Sequence, residues 1–211
     1  MELDHFFILT GPGAPQAALL SALGMVEGTP NHHAGQGTAN RRFFFTDAML
    51  ELLYLHDPKE AMNGPGSRLR LGERLSSERA SPFGLVLRMA PGQDKPPFPG
   101  WRYCPDYADP ARPLLIGENS EVLEEPLCIA AALDVRQNSA DTRSPGPFRC
   151  VTELRVSVPV NRPSAVLQTI AGTDRISLRL GAPHLMEVVF QQGRQGQRAD
   201  LRPALPLVIT W

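Results

Sequence analysis

Two polar side chains sit inside apolar segments near the start of the chain. His5 lies within Leu3-Asp4-His5-Phe6-Phe7-Ile8-Leu9, and Glu51 within Met49-Leu50-Glu51-Leu52-Leu53-Tyr54-Leu55. A carboxylate among apolar neighbours is costly to bury unless it is paired, hydrogen-bonded or bound to metal. A period of two places Leu3, His5 and Phe7 on one face of the first segment. It places Met49, Glu51 and Leu53 on one face of the other. Faces of that kind suit a cavity or barrel interior. The plainer alternatives are a Glu on an open strand face and a satisfied core histidine. Imidazole with carboxylate suits a divalent Zn, Mn, Fe, Ni or Co acting as a Lewis acid.

Other chemistry gathers in His32-His33-Ala34-Gly35-Gln36-Gly37-Thr38-Ala39-Asn40-Arg41-Arg42. Gly37 permits backbone approach to a ligand, and His33, Thr38, Asn40 and Arg41 supply donors, Arg in a fork that fits a carboxylate. The sequence leaves open which of His32 and His33 faces inward. Trp101 and Tyr103 are candidates to line an apolar pocket. No GxSxG occurs, and Gly11-Pro12-Gly13-Ala14-Pro15-Gln16 lacks the third small residue of a dinucleotide loop, so no nucleotide cofactor is expected.

The elements that must position these residues follow from periodicity. Residues 3–10 read as a strand. Pro15 suits the first turn of a helix over 14–25, and Gly24 ends it. Two apolar runs about Thr46 and Asp47 read as a hairpin, closing a first βαβββ unit at 1–57. Residues 58–81 read as a polar linker, 82–135 as a strand-rich middle segment, and 136–147 as a second linker. Residues 148–211 read as a second βαβββ-like unit, with 175–180 and 184–192 forming a hairpin. Setting Pro163 on Pro15 carries His5 onto Glu153. Setting Glu187 on Glu51 aligns Leu185-Met186-Glu187-Val188-Val189-Phe190 with Met49-Leu50-Glu51-Leu52-Leu53-Tyr54. A duplicated unit would therefore add Glu153 and Glu187 to the site. The fold class expected is α+β: repeated βαβββ modules forming curved, barrel-like mixed sheets with few helices.

Leu3-Asp4-His5, Leu23-Gly24, the His33 to Asn40 segment ending in Gly37-Thr38-Ala39-Asn40, and Leu50-Glu51-Leu52-Leu53 together resemble the glyoxalase-like domain proteins. These belong to the vicinal oxygen chelate (glyoxalase/bleomycin resistance/dioxygenase) superfamily. The resemblance implies paired βαβββ modules around a cavity. In metal-using members it implies ligands from the first and fourth strands of each module. Those positions fall on His5 and Glu51. They fall on Gly84 if the second module opens in the middle segment, and on Glu153 and Glu187 if it is 148–211. The implied activity is a metal-assisted lyase, isomerase or dioxygenase step on a small oxygenated substrate. Its metal would sit at His5, Glu51 and Glu187, with Glu187 or Glu153 carrying the proton. The alternative is a metal-free protein that binds or sequesters a small molecule.

Composition bounds the partners. The chain has 211 residues, 42% hydrophobic and 20% charged, with formal net charge -1. That balance excludes the basic surplus of a nucleic-acid binder. The longest apolar stretch, Leu127 to Leu133, is far short of the roughly 20 residues of a membrane span. Cys104, Cys128 and Cys150 form no CxxC pair, and the first ten residues carry acids where an export signal needs Lys or Arg. A cytoplasmic protein with a small-molecule partner is expected, and a homodimer through open sheet edges is the further possibility.

Overall fold

The computed structural model describes residues 1–90, 92–93, 95–107, 109–133 and 144–211. Most of the second expected linker, 136–147, lies outside the described residues.

Strand β1 (Glu2–Leu9) leads through α1 (Ala17–Ala22) to β2 (Asn31–His33), β3 (Thr38–Phe44) and β4 (Met49–Leu55). This is the expected first unit. α1 is shorter than expected, and Gly24 beyond its C-cap Leu23 has φ +95°, a conformation that suits glycine. β3 and β4 form the expected hairpin, and β4 lies parallel to β1. After α2 (Pro58–Asn63) and α3 (Leu71–Ser76) come β5 (Phe83–Arg88), β6 (Gly100–Tyr103), β7 (Leu114–Gly117) and β8 (Leu127–Ala131). These eight strands make one sheet in the order β2-β3-β4-β1-β5-β8-β7-β6. The fold is α+β with few helices, and the sheet is strongly curled into a half-barrel.

The middle segment repeats the first unit's pairing. β8 runs parallel to β5 as β4 does to β1. β7 pairs antiparallel with β8, and β6 with β7, as β3 does with β4 and β2 with β3. β1 and β5 join the halves antiparallel. The helix of the first unit has no counterpart between β5 and β6 among the described residues.

Residues 148–211 are built differently. They hold β9 (Val151–Val158), α4 (Ala165–Ile170), β10 (Ile176–Leu180), β11 (Leu185–Phe190), β12 (Arg198–Asp200) and β13 (Leu207–Thr210), in a second sheet ordered β10-β9-β11-β13-β12. The expected hairpin of β10 with β11 does not form, because β9 lies between them. β11, which carries Glu187, is antiparallel to β9, whereas β4, which carries Glu51, is parallel to β1. Element order is shared between the two units, but pairing is not. The second half of the curled sheet is therefore the middle segment, not 148–211.

Period-two alternation divides the apolar residues into two cores. Phe6, Ile8, Leu50, Leu52, Leu85, Leu87, Cys128 and Ala130 share one cluster with α1, α4 and the second sheet's Leu154, Val156, Val188 and Ile209. Their alternates Phe7, Leu9, Leu53, Val86, Leu127 and Ile129 form the other. Leu3 was expected to share a face with His5 and Phe7. It joins the first cluster instead, because the register slips between Leu3 and His5. The bulge re-aims Leu3 against its neighbours, while His5 and Phe7 keep the inner face.

Residues 58–81, expected to be a linker, fold onto that inner face. Asp57 caps α2, accepting hydrogen bonds from the Lys59 and Glu60 amides at 2.9 and 3.1 Å, with Pro58 at the first helical position. Leu69 and Leu71 are buried in the inner cluster. A Cβ at Gly84 would stand 2.0 Å from the Phe7 ring. Gly84→Ala is accordingly expected to lower stability by about 1–3 kcal/mol through overpacking, read as a fall in the urea midpoint.

Candidate functional site

The curled sheet closes over a cavity of about 180 Å³. Its polar wall comes from the first half and the loop after β2: His5 on β1, Glu51 on β4, His33 at the end of β2, and Gln36. Its apolar wall comes mainly from the second half: Val86 on β5, Leu114 and Ile116 on β7, and Leu127 and Ile129 on β8. Phe7, Leu53, Leu69, Leu71 and Leu133 complete the described lining, together with Tyr103 and Tyr107.

Glu51, His5 and His33 are each anchored from behind. Asn40 Nδ2, fully buried on β3, donates to Glu51 Oε1 at 3.1 Å, and Asn40 Oδ1 accepts from the Asn31 amide at 2.8 Å. Glu51 is 7% exposed, and Oε2 has no hydrogen-bond partner among the described residues. His5 Nδ1 lies 2.8 Å from Asp4 Oδ1, and Arg88 holds the other Asp4 oxygen at 2.7 Å. An ionised carboxylate only accepts, so His5 donates from Nδ1, and in the neutral ring Nε2 presents a lone pair. His33 Nδ1 lies 2.9 Å from Thr38 Oγ1, which accepts from Gln36 Nε2 at 2.9 Å. Thr38 Oγ1 has one proton and a second lone pair for His33 Nδ1, and the tautomer that accepts there carries its proton on Nε2. Tyr107 donates to Gln36 Oε1 at 3.0 Å and extends this chain. Tyr103 is 4% exposed, and its hydroxyl is buried without a hydrogen-bond partner among the described residues. Burial pushes the Tyr103 hydroxyl up to about 12, so it stays a proton donor at neutral pH.

Burial also lowers the His33 pKa from its ordinary 6.5, against a smaller upward pull from Glu51; His5, Arg42 and His32 add to the lowering. A folded-state value below the unfolded one means that the unfolded chain binds this proton first as pH falls. The His33 contribution to stability is thus intact above about pH 6.5 and is lost below it. Urea titrations from pH 8 to 5 should show a shallower acid-side fall for His33→Gln than for wild type.

His5, His33, Glu51 and Tyr103 come together as expected, and His33 is the inward member of its pair. His32 is exposed, with its ring 4.5 Å from that of His56. Thr38 and Asn40 support the site from behind rather than lining it. Gly37, at φ +69°, packs against α2, where a Cβ would meet Ala61 N and Asp57 O at 2.4 Å. Arg41 was expected to grip a ligand. It forks onto Glu27 at 2.6 and 2.5 Å and donates to Ala14 O, which stabilises its charged form. Trp101 lies outside the lining, under Arg68 at 4.3 Å, with Nε1 on Ser120 Oγ.

Glu153 and Glu187, expected as proton carriers and, for Glu187, a metal ligand, are on the second sheet. They alternate with Leu154, Met186 and Val188 of the outer core, and both pair with Arg155. Neither lines the cavity. The metal set His5, Glu51 and Glu187 is therefore not assembled. The second half offers no replacement: Gly84 is covered by Phe7, and β8 turns Leu127 and Ile129 inward. Among the described residues no three His, Cys, Asp or Glu side chains converge in a metal-holding group. As placed, these residues do not fit a resident divalent ion.

Gln36, Leu69, Leu71 and Tyr107 were not singled out from sequence. Gln36 lies within the flagged polar loop. Tyr107 and the two leucines carry no spacing that sets them apart from ordinary loop and core residues.

No family model matches the chain, and no curated protein matches it in sequence. Among solved structures, a hypothetical protein from Staphylococcus aureus is similar over 99% of this chain and 98% of that one, with TM-score 0.56 and 11% identity. That likeness shows the fold. No helix among the described residues is long and apolar enough to cross a membrane.

Proposed function

We propose that the protein is a glyoxalase-like enzyme of the vicinal oxygen chelate type that moves a proton next to the carbonyl of a small substrate. The observation that carries this reading is Glu51: one oxygen is fixed by Asn40, and the other is unpartnered at an apolar cavity shared with two anchored imidazoles. A carboxylate base beside a neutral imidazole donor suits enolisation. Glu51 takes the proton from the carbon. His33 Nε2–H and the Tyr103 hydroxyl donate to the oxygen as negative charge develops there. The lone pair of His5 Nε2 offers a second place for the proton. Three unpaired cysteines support a cytoplasmic setting.

The test is deuterium exchange at the α-carbon of small ketones and aldehydes in D₂O, followed by NMR, with protein stripped by chelator and its metal content measured. Exchange well above the buffer rate is expected without added metal. Exchange that returns only with an added divalent ion would replace this reading with the metal-assisted one. Tight binding without exchange would favour a sequestering protein.

A further inference from the structure

The lining of the cavity has a charge as well as a shape. Among the described residues it contains no Lys or Arg. The nearby cations are committed elsewhere: Arg41 to Glu27, Arg42 to Thr29 O and the Phe44 ring, and Arg88 to Asp4. Burial keeps His33 neutral at neutral pH. Glu51 is the one acidic side chain among the described lining residues. An anion entering here would lose its water beside a carboxylate, with no Lys or Arg on the described lining to compensate it. The volume is equally restrictive. An apolar cavity of about 150 Å³ holds one benzene ring, and drug-sized pockets start near 300 Å³. The space here is about 180 Å³. The polar and apolar parts of the lining come from different elements: His5, His33, Gln36 and Glu51 from β1 to β4 and the loop after β2, and Leu114, Ile116, Leu127 and Ile129 from β7 and β8, with the Tyr103 hydroxyl on β6.

The geometry points to an uncharged, single-ring or short branched carbonyl compound as the substrate class, its oxygen toward His33 and Tyr103 and its apolar body against β7 and β8. This selection rests on the proton-transfer reading for the carbonyl, but the preference against anions rests on the lining alone. The sequence-based expectation of an Arg-held carboxylate is thereby replaced by selection against one.

The experiment compares four probes of nine non-hydrogen atoms each: acetophenone and benzamide (neutral), benzoate (anion) and benzamidine (cation). Binding to the full chain is measured by calorimetry at pH 7.5. Acetophenone is expected to bind at least ten-fold more tightly than benzoate. Glu51→Gln should bring the two within about three-fold, because it removes the like charge and keeps the shape. Tyr103→Phe should weaken acetophenone several-fold and leave folding intact. Benzoate binding as tightly as acetophenone in wild type would overturn the proposal, as would a preference unchanged in Glu51→Gln. Benzamidine binding more than ten-fold tighter than both neutral probes would reassign the class to cations. No binding by any of the four would overturn the size class. Neutral-selective binding without α-proton exchange would leave the charge selection standing and remove the enzymatic reading, so the two fail separately.

Discussion

Glu51→Gln is expected to reduce α-proton exchange by about 10²–10⁴-fold, the usual contribution of one positioned acid–base group. The change is nearly isosteric. A Gln amide oxygen can still accept from Asn40 Nδ2, so the β3–β4 pair and the cavity should persist. What is lost is the capacity of the other oxygen to take a proton. The thermal midpoint should move little, and neutral ligands should still bind, which separates a chemical role from a structural one. Asn40→Asp sharpens the distinction. It puts a second carboxylate against Glu51, which disfavours the ionised base. The acid limb of the pH–rate profile should then move to higher pH, a shift that damage to the fold would not produce. Exchange within ten-fold of wild type in Glu51→Gln would remove Glu51 from the base role.

How much of this was legible beforehand depended on whether a signal was local. His5 and Glu51 stood out because a polar residue within a strongly apolar strand has few ways to be satisfied. The first unit was readable because a turn or cap marked each boundary: Pro15 and Gly24 around α1, Thr46 and Asp47 between β3 and β4. The second half was misassigned for a physical reason. Strand pairing is a long-range choice, and two stretches with the same order of elements can pair differently. Residues 148–211 imitate 1–57 in order, with an acidic residue inside each apolar strand, yet β11 pairs antiparallel with β9. Glu187 thus sits opposite Arg155 on the side away from the core. The true partner of the first half, β5 to β8, was obscured by the absence of a helix between its first two strands and by the glycine at the position matching His5. The misread linker is a different case. Asp57-Pro58 is a helix-start signal, and the polar composition of 58–81 outweighed it although Leu69 and Leu71 supply the buried contacts.

Those two leucines depend on a residue far from the chemistry, and it carries the largest stability effect expected in the molecule. Arg74 on α3 is 2% exposed and forms no ion pair among the described residues. Its guanidinium is held by backbone carbonyls: Nη1 donates to Glu125 O at 2.7 Å, Leu123 O at 3.1 Å and Ser81 O at 3.4 Å, and Nη2 to Ser120 O at 3.3 Å. The nearby Glu125 carboxylate is taken up by Ser164 and Asn119. Burial lowers the Arg74 pKa to about 10, still well above neutral, so the group stays charged and its field is met by carbonyl dipoles. One side chain thereby ties α3 to the segment between β7 and β8, and α3 begins with the cavity-wall residue Leu71. Arg74→Met keeps the apolar stem and strips the donors, leaving the Glu125, Ser120 and Ser81 carbonyl oxygens without them at about 1–3 kcal/mol each, while Leu123 O keeps the Ser81 amide. The net loss should be about 3–5 kcal/mol, a large share of the 5–15 kcal/mol that typical domains possess. Arg74→Lys, with one compact head in place of a fork, should recover part of it. Urea unfolding gives the loss directly. Because α3 would loosen before the sheet does, acetophenone affinity should fall in Arg74→Met at urea concentrations where the protein is still folded. Stability within 1 kcal/mol of wild type would mean that the carbonyls find other donors, and that α3 is held by its leucines alone.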